Sequence, residues 1–184
     1  FGTGQLILAA VRAGAKDIYL GLGGSATVDG GLGLLQALGA KVTVQRAGQI
    51  QSLDRPAVGA DLEALHEIAF GSVKKLLRGV RLHVLCDVRN PLLGPRGAAR
   101  AFGPQKGATP SDVIRLERGL KRLAGLAKAT GKEISKIPGT GAAGGAAAGL
   151  LGFADARLER GTETIFRLMG LEKHIKQADV VITG

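Results

Sequence analysis

Tryptophan is absent from the 184 residues, and one tyrosine with five phenylalanines holds the aromatic share at 3%. So few rings give no platform for stacking the bases of single-stranded nucleic acid. A single cysteine excludes an internal disulfide framework or a cysteine-based zinc site, and fits a reducing compartment. No run reaches the ~20 apolar residues that span a bilayer, and no secretory signal is present. The expectation is a soluble chain of the cytoplasm with no membrane partner. An initiator methionine is also missing, and the sequence stops at Gly184 directly after an apolar run. It reads as a piece of a longer protein.

What is abundant is glycine. The count of 30 is about twice the usual share of ~7%, in a chain that is 45% hydrophobic and carries no short repeat, so collagen and disordered linkers are excluded. The formal charge of +10 invites a nucleic-acid reading. Yet the basic residues are scattered, without the run that marks a basic tail, and a small anionic substrate uses the same potential. The residues alone leave two classes open, an enzyme acting on small anions and a non-catalytic nucleotide- or RNA-binding module.

The order of elements is that of an α/β protein with glycine-rich loops at strand-helix junctions. Thr3 is placed to cap a helix from Gly4 to Ala13 with Gly14 as its stop, followed by a short buried strand at Ile18–Leu22. A glycine segment, GLGGSATVDGGLG from Gly21 to Gly33, leads into a helix through Leu38, and Lys41–Gln45 reads as a strand. The stretch from Arg46 to Gly79 is the least legible: a turn near Gly48, a break at Pro56, and a helix expected around Leu62 to Phe70, with no site there. Alternation of Leu82, Val84, Cys86 and Val88 against Arg81, His83, Leu85 and Asp87 predicts a strand over 80–88 that ends at Asn90-Pro91. Thr109-Pro110-Ser-Asp112 is a strong helix start, and Val113, Leu116, Leu120, Leu123 and Ala127 form its apolar stripe. A second glycine- and alanine-rich segment covers 139–152. Helices around Thr162–Leu168 and Leu171–Gln177 and a terminal strand at Asp179–Thr183 complete the reading.

Four segments place small or polar residues just after apolar runs: 23–31, 87–94, 102–107 and 140–145. Ligands of open α/β sheets bind outside the carboxyl ends of the strands, and a helix start with glycine-cleared N–H groups is a ready anion site. The first segment lacks the Gly-Lys-Ser/Thr of a Walker A loop and has no strict GxGxxG. Asp29, between glycines, is either a helix cap or a functional carboxylate. Asp87, at a strand's mouth, could bind magnesium or take a proton from a substrate hydroxyl, and could equally be a turn residue. Lys106, in a Gly-Pro-Gln-Lys-Gly loop, has little local structural purpose and suits a phosphate or carboxylate. His66, His83 and His174 share no ligand-like spacing, and Cys86 reads as a small buried hydrophobe.

Together GTGQL at Gly2, GGSATVDGGLG at Gly23, CDVRNPLLGPRGAARAFGPQKGAT at Cys86, GAAGGAAAGL at Gly141 and VITG at Val181 resemble the successive motifs of the bacterial glycerate kinase type I family. The resemblance implies ATP-dependent phosphorylation of D-glycerate, commonly at the 2-hydroxyl, in glyoxylate metabolism, with ATP as co-substrate and Mg2+ as cofactor. It implies two α/β domains facing across a cleft, one inserted into the other. Residues 1–184 would be the central part, mostly the inserted domain, with 178–184 returning toward the second. The fragment alone would then be inactive. Asp29, Asp87 and Lys106 are the expected catalytic residues, and Asp87 is the expected metal ligand. Gly23, Gly24, Ser25, Asn90, Gln105, Gly141, Gly144 and Gly145 are the expected substrate-binding residues. The sequence departs from the family's pattern at Val28, where asparagine is usual, and over 52–60, which lacks the usual glycine run. The implied partner is a small molecule, not nucleic acid; the oligomeric state is left open.

Overall fold

The structure is a computed structural model that describes residues 1–182. Its functional edge is built on a three-stranded parallel sheet in the order β1 (Asp17–Gly21), β5 (Arg81–Leu85), β6 (Arg157–Glu159). Strand β5 lies in the middle, hydrogen-bonded to both neighbours, and residues 82–85 are all buried. Both faces of a central parallel strand are covered. The alternation expected over 80–88 therefore gives way to a shorter, continuously buried run, and Asp87 lies two residues beyond the strand's end.

A second sheet is antiparallel, in the order β3 (Gln49–Ser52), β2 (Lys41–Arg46), β4 (Leu65–Ala69). Ala47 and Gly48, both at positive φ (48° and 79°), supply the two-residue turn whose twist matches a hairpin. The helix expected around Leu62 to Phe70 is not formed. A 3-10 turn covers Gly59–Ala64, and β4 follows, paired to β2 with an irregularity between Thr43 and Val44. The apolar spacing of Leu62, Leu65 and Ile68 suits a helix, but pairing with β2 satisfies the backbone of 65–69 and still buries Leu65 and Ile68.

The helices of the first half are α1 (Gly2–Arg12), α2 (Leu32–Ala37) and α3 (Gly71–Leu76). Those of the second are α4 (Ala98–Phe102), α5 (Pro110–Ala129), α6 (Ala142–Phe153), α7 (Gly161–Met169) and α8 (Leu171–Gln177). The first starts at Phe1, not Thr3, with no side-chain cap. Helix α5 starts as its sequence dictates: Thr109 Oγ1 accepts from Asp112 N at 3.2 Å, and Asp112 Oδ2 accepts from Thr109 N at 3.0 Å. Its buried stripe of Leu120, Leu123, Ala124 and Ala127 packs on α6, whose residues from Gly144 to Leu150 are buried on every side. Each fully buried leucine contributes about 1.5–3 kcal/mol, so this α5–α6 contact anchors the core. Past α8 the expected terminal strand is absent over Asp179–Ile182. The apolar run has strand composition but no described strand beside it, and Val180, Val181 and Ile182 are exposed. Thr183, the last residue of that expectation, lies outside the described residues.

Candidate active site

The loops that follow β1, β5 and β6 leave the sheet at the same edge. Leu22 N donates to Leu85 O at 3.2 Å and Cys86 N to Glu159 O at 2.9 Å, so the ladder continues one step beyond the strands before the chains diverge. This is the carboxyl edge, where ligands of parallel sheets bind. The 23–31 loop then rests on α6, with Gly30 N donating to Gly144 O at 3.1 Å. Asp29 is buried and aims its carboxylate at the start of α2, accepting from Gly31 N at 3.1 Å and Gly33 N at 3.3 Å. That satisfies two N–H groups which no preceding helical turn can serve. Its capping role is thus present, and the same residue also lines the cleft that lies in front of it.

This cleft has a volume of about 510 Å3. Ala26 to Asp29 form one wall and Pro56 to Ala60 another, with Lys106 and Gly107 beside them and Asp112 and Arg115 from the first turns of α5. Lys106 ends a 3-10 turn (Pro104–Lys106), and its Nζ donates to Ser25 Oγ at 2.8 Å and to the Thr27 carbonyl at 2.7 Å. An ammonium has three donors, so one remains for a ligand. Burial pushes the Lys106 pKa down, partly countered by the negative charge of Asp29. Ser25, Asp29 and Lys106 are therefore brought together. Gln105 sits on the same turn but is exposed and outside the cleft lining, and Gly23 and Gly24 are exposed just before it.

No site is expected from the sequence between Arg46 and Gly79, yet Pro56 to Ala60 and Glu63 line this cleft. A loop that runs only into one short 3-10 turn carries little periodicity to read. Arg115 of α5 also reaches the cleft, where its Nε donates to Glu63 Oε2 at 2.9 Å.

Asp87 belongs to a different recess, of about 490 Å3, shared with Cys86, Arg89, Gly139, Glu159 and Arg160. Its carboxylate accepts from Thr162 N at 3.2 Å and from Thr162 Oγ1 at 2.9 Å, which caps the start of α7. Those bonds from Thr162 hold its pKa below the ordinary carboxylate range, with the nearby Arg160 charge adding to the effect. The carboxylate is engaged at the positive end of a helix, and among the described residues it belongs to no group of three or more His, Cys, Asp or Glu that could hold a metal ion by themselves. Asn90 turns the chain beyond it, its Nδ2 donating to Arg96 O at 2.7 Å while its own carbonyl accepts from Gly139 N and Gly141 N. Partial burial pushes the Cys86 thiol pKa up, but the residue is half-buried at the recess and not packed fully inward as expected.

The profile of the glycerate kinase family matches residues 1–184. The chain belongs to the glycerate kinase family. It is 42% identical to the glycerate 2-kinase of Escherichia coli strain K12 over all of this chain and 47% of that protein. It is 43% identical to a glycerate kinase of Bacillus subtilis strain 168, with the same coverage. The crystal structure of a protein described as glycerate kinase 2 from Salmonella typhimurium LT2 superposes with a TM-score of 0.86 at 44% identity, over the whole of this chain and 48% of that one. The chain thus spans about half the length of the curated relatives it matches.

Within this glycerate kinase family chain the second glycine segment does not face the cleft. Gly141, Gly144 and Gly145 are buried. A side chain on Gly141 would collide with the Pro91 carbonyl, and one on Gly144 with the Thr27 carbonyl. These glycines let α6 touch the backbone of the two loops in front of it, so they hold the site from behind. Val28, where the resemblance leads one to expect asparagine, is buried in the core cluster and also borders the cleft. From the 52–60 stretch, where the resemblance leads one to expect a glycine run, Pro56 to Ala60 line the cleft together with Lys106.

Proposed function

We propose that this chain forms part of an ATP-dependent D-glycerate kinase whose product is 2-phosphoglycerate. The observation that carries the reading is the Lys106 ammonium, fixed by Ser25 and Thr27 beside Asp29, with one donor free over a cleft sized for a small anion. Phosphoryl transfer asks a protein chiefly for positioning and neutralisation of charge. In this reading Lys106 takes a glycerate carboxylate or a transferring phosphate, the exposed amides of Gly23 and Gly24 lie at the entrance, and Asp29 holds the loop and balances the lysine. Magnesium would arrive on the nucleotide's phosphates. Asp87, Asn90 and the buried glycines of 141–145 shape the sheet's edge. Residues 1–184 would form mostly the inserted domain of a cytoplasmic enzyme, with 178–184 leading to a second domain that closes the cleft. Its partners would be small molecules and neither nucleic acid nor a membrane.

The relatives named as glycerate kinases support this reading, as does the match to the family along the whole chain. The test is a product assay on the full-length protein supplied with ATP, Mg2+ and D-glycerate, with 2- and 3-phosphoglycerate resolved by phosphorus NMR. Glycerate-dependent formation of the 2-phosphate is expected. Exclusive 3-phosphate would overturn the regiochemistry, and no glycerate-dependent ADP would overturn the activity. RNA retention that falls steeply with salt would favour the binding-module alternative.

A further inference from the structure

The wall of the cleft that runs through Pro56 to Val58 belongs to a strip, Leu53 to Val58, with no helix or strand of its own, and two polar side chains hold it. From behind, Gln36 of α2 donates through Nε2 to Leu53 O at 3.3 Å and Arg55 O at 3.1 Å, and accepts from Ala57 N at 2.6 Å. From below, the buried carboxylate of Asp61 accepts from Val58 N at 2.9 Å, from Arg46 at 2.6 Å and from both terminal nitrogens of Arg55 at 2.8 Å. Between these ties lie Pro56, Ala57 and Val58, which line the cleft. A primary amide is the side chain that can donate to two carbonyls and accept from one N–H at once. Gln36 does all three, in a helix otherwise made of leucine, alanine and glycine.

The two walls of the cleft are thereby referred to one short helix. Asp29 fixes the start of α2 through Gly31 N and Gly33 N, and Gln36, one turn on, fixes the opposite wall. The strip also packs on the Asp29 loop directly, since a side chain on Gly59 would begin 2.6 Å from the Val28 carbonyl. We propose that Gln36 is a positioning residue: it sets the distance between the Pro56–Val58 wall and the Lys106–Asp29 wall, and so the fit of the small anionic substrate between them. It touches no substrate itself. The proposal rests on the reading that this cleft binds glycerate.

A residue that sets cleft width acts on substrate fit more than on the chemical step. In the full-length enzyme, Gln36→Met removes all three hydrogen bonds at similar volume, and Gln36→Glu keeps the acceptor for Ala57 N while losing both donations. The expected result is a KM for glycerate raised on the order of tenfold in Gln36→Met, with kcat changed less than threefold and KM for ATP unchanged. Hydrogen exchange should accelerate at the Ala57 amide in both variants to the extent of the bonds lost, more in Gln36→Met. A glycerate KM within twofold of the parent in both variants, or a fall confined to kcat, would overturn the proposal. Should Gln36→Met fail to fold, Gln36→Glu carries the same comparison. Lys106→Met separates this outcome from failure of the cleft reading: if it leaves glycerate turnover intact, the cleft is not the substrate site, whereas a Lys106→Met enzyme that is inactive beside a kinetically normal Gln36→Met enzyme rejects the positioning role alone.

Discussion

The two glycine-rich segments, 21–33 and 139–152, look alike in sequence, but the first is open up to Gly24 and packed from Gly30 onward, whereas the second is packed throughout. The first presents Gly23 and Gly24 to solvent, with nothing within 4 Å of where a side chain would start. The second is buried, and its glycines meet other backbone: Gly144 the Thr27 carbonyl, Gly149 the Gly30 carbonyl, Gly141 the Pro91 carbonyl. Glycine density reports that something must come close. Whether that is a ligand or the rest of the chain depends on which side of the sheet's edge the segment occupies. Here the second segment lets α6 lie directly under the loop that the first one forms.

The comparison is broken most sharply by the same substitution in both places. Gly144 has φ +65° and no room, whereas Gly24 has φ +61° and open space. Gly144→Ala adds a backbone clash to the left-handed strain and should cost about 3 kcal/mol or more; Gly24→Ala should cost the strain alone, about 1–2 kcal/mol. Thermal midpoints of the two variants test it. Equal losses would mean that the loops, not α6, carry the packing.

Lys106→Met sharpens the functional half. The ammonium spans the first segment through Ser25 and Thr27 and meets none of the glycines of the second. Removing it should lower kcat/KM for glycerate by about 10²-fold or more with little change in thermal midpoint, because burial already disfavours its charge. A large fall in stability at normal turnover would make it a structural tie.

Local signals were legible where the physics is local. The Thr109-Pro110 cap, the stripe of α5 and the Gly14 stop after α1 follow from sequence because neighbouring residues settle them. The Leu62–Phe70 expectation failed because a helical apolar spacing was outweighed by ladder bonds to β2, a partner some 25 residues upstream. Of the candidate site, the expected Asp29 and Lys106 share one cleft, since residue type and glycine context mark them, while Asp87 lies in a separate recess with Thr162, 75 residues away in sequence. The opposite wall was missed altogether. Gln36, one polar residue in an apolar helix, was its available signal, as was the pair Arg55 and Asp61 six apart.

Acid should divide the two regions by a smaller margin. Burial raises the Asp61 pKa, but the hydrogen bonds from Arg55 and Val58 and the charges of Arg55 and Arg46 outweigh it and leave the group below its ordinary 3.8. A depressed carboxylate pKa means its contribution is complete above about 3.8 and is lost as pH falls through the lower folded value. The cleft wall tied to Asp61 should loosen there, while the 139–153 stretch, which has no ionisable side chain, should respond only to global unfolding. Hydrogen exchange at the Val58 amide against those of α6 across this range measures it. Parallel loosening of both would show that they open as one unit.

The smallest effect is expected at Asp87, and it decides to which region that residue belongs. Its turn is buttressed by the second segment: Asn90 O accepts from Gly139 N and Gly141 N, and a side chain on Gly139 would begin 3.4 Å from the Val88 carbonyl. Its carboxylate is spent on Thr162 at the start of α7. Asn keeps an acceptor oxygen and is itself a favoured cap, so Asp87→Asn should preserve the turn and leave turnover within a few-fold of the parent, with a minor fall in thermal midpoint. A carboxylate that positioned a metal or a reacting hydroxyl would behave otherwise, because the charge itself would matter and the loss would be on the order of 10²-fold in kcat. Measuring kcat and the thermal midpoint of Asp87→Asn together in the full-length enzyme places the residue. Near-normal turnover puts it with the buried glycines that hold the edge in shape, and a hundredfold fall at unchanged stability moves it to the ligand-facing side with Lys106.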